Sequence, residues 1–189
     1  MAATSAVALR IEGCVIVSAD GMLADAQGLM PEALKFPGDQ HWFESLLDRA
    51  DLIVHGRRSH EEQPRSSQRR RIILTRVVAD VAPDPSNAMA TLWNPAGASF
   101  EQACAQAGVT AGMVTVIGGP DVFRMFLDRY DTFWLSHAPR VQIPGGLPAF
   151  GLPGRAADDV LREHGLTPEE TRLLDPADGV TLTAWRRAR

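Results

Sequence analysis

The chain has little of what staples or metallates a protein. Its two cysteines, Cys14 and Cys104, lie far apart without CxxC spacing, so neither a disulfide framework nor a zinc cluster is indicated. The five histidines show no HExxH or other ligand spacing, and no metal is expected. No run approaches the roughly 20 apolar residues that a bilayer span needs, so no membrane is expected either. The first thirteen residues lack the basic-then-apolar order of a secretion signal, which leaves a cytoplasmic protein as the expectation. A GxSxG nucleophile elbow, a P-loop, a GxGxxG fingerprint and the deaminase pattern HxE…PCxxC are all missing, and the chemistries they carry lose their usual carriers.

What is there describes a globular chain. With 189 residues, 45% of them hydrophobic and 22% charged, the sequence reads as one domain over 1–189, able to bury roughly 70% of its unfolded surface. The net charge of −4 argues against a general nucleic-acid binder, and no nucleic-acid partner is expected. Charge is unevenly spread. Seven arginines stand between Arg57 and Arg76 against only Glu61 and Glu62, while Lys35 is the sole lysine. Such a stretch is either a solvated loop or the seat of an anionic ligand.

Strand and helix signals alternate. Residues 11–18 (IEGCVIVS), 52–55, 72–75, 88–93, 113–117 and 132–136 are strand-like, with a turn signal after Ser18. Residues 40–50 place Trp42, Phe43, Leu46, Leu47 and Ala50 on one helical face behind Asp39, and 100–107, 121–130 and 156–163 also read as helices. A Gly/Pro-rich loop covers 139–154. Residues 170–174 and 180–185 form a hairpin around a turn at 176–179. The order predicts an α/β fold: a three-layer sandwich with a central, mostly parallel sheet, helices on both faces and an antiparallel C-terminal hairpin. In such sheets ligands bind at the carboxyl ends of strands, here 18–20, 55–58 and 117–119.

Three strand ends suit a multiply charged ligand. Gly118 and Gly119 precede a helix, where bare backbone can approach a phosphate; a tight turn explains them equally well. Gly56, Arg57, Arg58 and Ser59 offer two guanidinium forks and a hydroxyl, and Thr75 with Arg76 repeats the theme. Asp39 has two readings. It caps the helix it precedes, or it is a carboxylate in apolar surroundings beside Trp42 and Phe43, with a raised pKa.

In order and spacing these motifs resemble the dihydrofolate reductases and their relatives, including the reductase domain of the riboflavin-pathway deaminase/reductase. The resemblance runs from about Gly13 to Trp185, through 14–24 (CVIVSADGMLA), Met30-Pro31, Phe36-Pro37-Gly38-Asp39 with Trp42-Phe43, 52–59 (LIVHGRRS), 71–75 (RIILT), 116–127 (VIGGPDVFRMFL) and 132–137 (TFWLSH). It implies a reductase that uses NADPH to deliver hydride to a C=N bond of dihydrofolate or a related pterin-like substrate. Asp39 matches the active-site carboxylate and Ser136 the hydroxyl that supports it. Ile16, Phe43 and Arg69 match substrate-binding positions, Arg69 being the candidate grip for a folate carboxylate tail. Ile16, Leu23, Gly56, Arg57, Arg58, Ser59, Thr75, Arg76, Ile117, Gly118, Gly119, Val122 and Phe123 match the NADPH contacts. The chain departs from the pattern in an insert at 32–35, in Gln40 where an apolar residue is usual, and in the loop 141–150 (VQIPGGLPAF), which is closer to the riboflavin-pathway relatives. The alternatives are a 5-amino-6-(5-phosphoribosylamino)uracil reductase with a pyrimidine substrate, or a non-catalytic NADPH-binding protein. The oligomeric state, a homodimer included, is left open.

Overall fold

The structure, a computed structural model, describes residues 8–57 and 65–188. The chain begins with β1 (Leu9–Ser18), β2 (Met22–Ala24), α1 (Pro37–Arg49), β3 (Leu52–Gly56) and β4 (Arg71–Leu74). It continues through β5 (Val81–Pro83), β6 (Ala90–Trp93), α2 (Phe100–Gln106), β7 (Gly112–Val116), α3 (Pro120–Met125) and β8 (Thr132–Ala138). It closes with β9 (Leu147–Pro148), α4 (Ala157–Glu163), β10 (Leu166–Asp175) and β11 (Val180–Arg187). Nine strands make one sheet in the order β10-β11-β8-β1-β7-β3-β4-β6-β5, and β2 pairs with β9 in a small ribbon. The strands from β8 to β6 run parallel to their neighbours, whereas β5, β10 and β11 pair antiparallel. This is the three-layer, mostly parallel α/β sandwich with a C-terminal hairpin that the sequence pattern implies.

Alternation along the strands divides the core between two faces. Ile11 and Val17 of β1, with Phe133 and Leu135 of β8, join the buried cluster that takes Phe100 and Ala103 from α2, Phe123 from α3 and Leu161 from α4. At roughly 1.5–3 kcal/mol for each large side chain removed from water, this cluster is the main source of stability. The opposite face of the same strands carries Cys14, Ile16, Trp134 and Ser136. The register sets Cys14 beside Trp134 and Ile16 beside Ser136. α1 covers this face, burying Leu46 and Leu47.

Several elements differ from their sequence signals. α1 starts at Pro37, three residues before the predicted 40–50, because proline suits a first helical position and its missing N–H costs nothing there. α3 stops at Met125, yet Phe126, Leu127 and Tyr130 stay buried in the turns that follow, so apolar spacing outlasts the helix. β2, β5 and β9 have two or three residues each and exist through their partners, with no period of their own. No helix among the described residues is long and apolar enough to cross a membrane.

Candidate active site

A cavity of about 1100 Å³ opens between α1 and the carboxyl ends of the parallel strands. Its most buried carboxylate is Asp39, only 9% exposed, beside the still more buried Ser136. Asp39 sits in the first turn of α1, but it does not cap the helix. Its Oδ1 accepts a 2.6 Å hydrogen bond from Ser136 Oγ of β8. The capping is done from 136 residues away: Gly38 N donates to Asp175 Oδ1 at 3.1 Å, and Asp39 N donates to Asp175 Oδ2 at 3.2 Å. Gly38 is what allows this approach, since a Cβ there would stand 2.3 Å from the Leu174 carbonyl oxygen.

Burial pushes the Asp39 carboxyl up to about 6; the Ser136 hydrogen bond opposes the rise and the nearby charge of Asp175 adds to it. The neighbouring Cys14 thiol is also pushed well up, chiefly by burial and then by Asp39 and Glu12, so it stays a neutral thiol. On the same sheet face, Trp134 donates from Nε1 to Glu12 Oε2 at 2.8 Å and packs tilted against Trp42 of α1, ring centroids 5.2 Å apart. Both tryptophans line the cavity together with Ile16 and Phe43. The result is one carboxylate with a proton affinity near neutrality, set in an apolar wall.

The far half of the cavity is built on backbone. Gly56 N donates to the Gly118 carbonyl at 2.7 Å, tying the end of β3 to the segment after β7. The Gly118–Gly119 peptide bond is cis. Gly118 has φ +94°, and a Cβ on it would enter the Phe123 ring at 2.5 Å, so only glycine fits. Gly119 is the reverse case: a Cβ there would meet nothing within 4 Å, and the residue presents bare backbone to the cavity. Arg57 and Arg76 reach the same wall from the ends of β3 and β4. Among the described residues no group of three or more His, Cys, Asp or Glu is arranged to hold a metal.

Of the positions matched to the family, the structure brings Ile16, Leu23, Asp39, Phe43, Gly56, Arg57, Arg76, Ile117, Gly119, Val122, Phe123 and Ser136 to this one cavity. Thr75 and Gly118 do not line it. The Thr75 hydroxyl accepts from Val77 N, and Gly118 supports the wall from behind. Arg58 and Ser59 lie outside the described residues. Arg69 is elsewhere, its Nη2 donating to Glu44 at 2.8 Å and to Asp48 at 2.7 Å. Trp134 and Asp175 were not singled out from sequence. Trp134 was legible, two residues from Ser136 and hence on its face; nothing local marks Asp175.

No family model matches the chain, and no curated protein sequence does. Solved structures do. A dihydrofolate reductase from Enterococcus faecalis, complexed with NADP(H) and RAB-propyl, superposes with a TM-score of 0.65 at 16% identity over 95% of this chain and 97% of that one. The chain has the dihydrofolate reductase-like fold. Two other proteins of this fold are as similar to it. A pyrimidine reductase-like protein from Corynebacterium diphtheriae gives a TM-score of 0.65 at 15% identity, over 95% of this chain and 92% of that one. A diaminohydroxyphosphoribosylaminopyrimidine deaminase/5-amino-6-(5-phosphoribosylamino)uracil reductase from Thermotoga maritima gives 0.63 at 16% identity; 96% of this chain is covered, and it spans 57% of that longer protein. In this fold the cavity follows the rule for open α/β sheets, lying outside the carboxyl ends of the parallel strands.

Proposed function

We propose that the chain is an NADPH-dependent reductase that delivers hydride to a C=N bond of dihydrofolate or a related pterin-like substrate. The observation that carries this reading is Asp39: a single buried carboxylate, held by Ser136, on the wall of a cavity that runs on to glycine backbone and two arginines. The residues present fit a nicotinamide dinucleotide. Gly119 leaves room for close approach to the main chain, and Arg57 with Arg76 offers guanidinium forks for phosphate. When bound, the reduced nicotinamide supplies the hydride.

The remaining work falls to the protein. Ile16, Phe43, Trp42 and Trp134 give the cavity an apolar lining that would exclude water from the reacting ring. Ser136 aims the Asp39 carboxylate, which holds ring N–H groups and favours the protonated, more electrophilic heterocycle. Hydride reaches the carbon of the C=N bond and a proton reaches its nitrogen, leaving a saturated C–N bond. With a pKa near 6, Asp39 exchanges protons within reach of neutral pH.

A second substrate is favoured by the placement of Arg69. It is paired with Glu44 and Asp48 and does not itself line the cavity. That favours a substrate without a carboxylate tail, as in the pyrimidine-reductase alternative. Following NADPH oxidation with dihydrofolate and with the ribosylaminopyrimidine in parallel tests both. Turnover of either, lost in Asp39→Asn with NADPH binding kept, supports the reductase reading. NADPH binding without turnover of either substrate returns the chain to the non-catalytic alternative.

A further inference from the structure

We propose that Asp175 is a positioning residue for Asp39: it takes the free N–H groups at the start of α1, leaving the Asp39 carboxylate held, among the described residues, by the Ser136 hydroxyl. The use of this arrangement rests on the reductase reading above; its existence does not.

The first turn of α1 can be accounted for donor by donor. Pro37 has no N–H. Gly38 N and Asp39 N go to the two oxygens of Asp175, and Gln40 N goes to the Phe36 carbonyl at 2.9 Å. Phe36, the residue before the helix, offers no capping side chain. A carboxylate in the first turn is ordinarily steadied as an anion by these donors and by the positive end of the helix. Here Asp175 occupies that position, so Asp39 turns to the sheet and finds one hydroxyl.

The delivery of Asp175 is built in from both sides. The β10–β11 ladder is irregular between Leu173 and Asp175, where such a shift re-aims a side chain. Gly38 lets the end of β10 come against the helix where any side chain would collide with Leu174 and Asp175. The groups around Asp39 are Cys14 from β1, a neutral thiol with Glu12 beyond it; Ser136 and Trp134 from β8; and Asp175 from β10. From its own side of the cavity come Lys35, before α1, and His41 and Glu44 on α1. In this set Asp175 raises the Asp39 pKa, in the same direction as burial.

The test reads Asp39 directly. Protein labelled with ¹³C at aspartate carboxyls is titrated by NMR, with Asp39→Asn to assign the signal, in the native chain and in Asp175→Asn and Asp175→Ser. Both substitutions keep an oxygen that can accept an N–H and remove the charge; having two guards against one failing to fold. The Asp39 midpoint is expected to fall by roughly half a unit to one unit in either variant. A midpoint within about 0.2 unit of the native chain, whatever happens to the melting temperature, overturns the proposal and reduces Asp175 to a helix cap. A lowered midpoint without turnover in the native chain would sink the reductase reading and leave the Asp175–Asp39 coupling standing. Turnover with an unmoved midpoint would do the opposite.

Discussion

Asp39 should cost the protein stability, and the cost should depend on pH in a calculable way. The folded chain holds the Asp39 proton with a pKa of about 6, against 3.8 for an ordinary aspartate. Between those values the folded state binds more protons than the unfolded state, so stability falls as pH rises from about 4 to about 6. Above that window the full penalty is present. Two units at about 1.4 kcal/mol each put it near 3 kcal/mol. Asp39→Asn removes the buried charge and keeps an oxygen for the Ser136 hydroxyl. At pH 8 the variant should therefore be more stable than the native chain by up to about 3 kcal/mol, or roughly 6–12 °C in melting temperature for a domain of this size. At pH 4 the difference should shrink to below about 1 kcal/mol. Urea melts followed by tryptophan fluorescence at pH 4, 6 and 8 measure it. A difference that stays constant across that range, or a variant less stable at pH 8, refutes the reasoning, because then the carboxylate is not isolated by burial. Greater stability with lost turnover is the trade expected of a functional carboxylate.

Other consequences are equally open to measurement. Gly38→Ala should lower stability by roughly 1–3 kcal/mol in a denaturant melt despite alanine's better helix propensity, since the new methyl meets the Leu174 backbone; an unchanged midpoint would mean that α1 and β10 do not touch as described. Arg76→Ala should weaken NADPH about tenfold and NADH by less than about twofold in a fluorescence titration, if this side chain reads a ribose phosphate. Equal losses for both cofactors would place Arg76 elsewhere on the nucleotide.

Much of the fold was legible because its central strands are buried on both faces and its helices carry one-sided apolar spacing. The signals at 11–18, 113–117 and 132–136 became β1, β7 and β8, which stand side by side at the centre of the sheet. Of the strand ends read from sequence, 55–58 and 117–119 border the cavity, whereas 18–20 does not line it. The charges were not legible. The arginines of 65–71 read as a loop or an anion site, yet Arg65 and Arg69 pair with Glu44 and Asp48 of α1, and Arg71 is buried. Ion pairs of this kind join residues with no local relation, and no period announces them. Asp39 shows the same limit. Aspartate before an amphipathic run is a strong capping signal, and it failed because the helix starts at Pro37, which puts Asp39 inside its first turn and leaves the free N–H groups to Asp175 from the far end of the chain.

The position of β1 has a bearing on how the protein is made. It lies near the middle of the sheet, and both neighbours, β7 and β8, are more than a hundred residues further along the chain. β1 is therefore made long before the strands that pair with it, and its edges wait unpaired until β7 and β8 are synthesised. A stalled or shortened translation product would expose that strand edge. Helper proteins that shelter extended apolar segments should bind nascent chains of this protein more strongly before β8 emerges than after it.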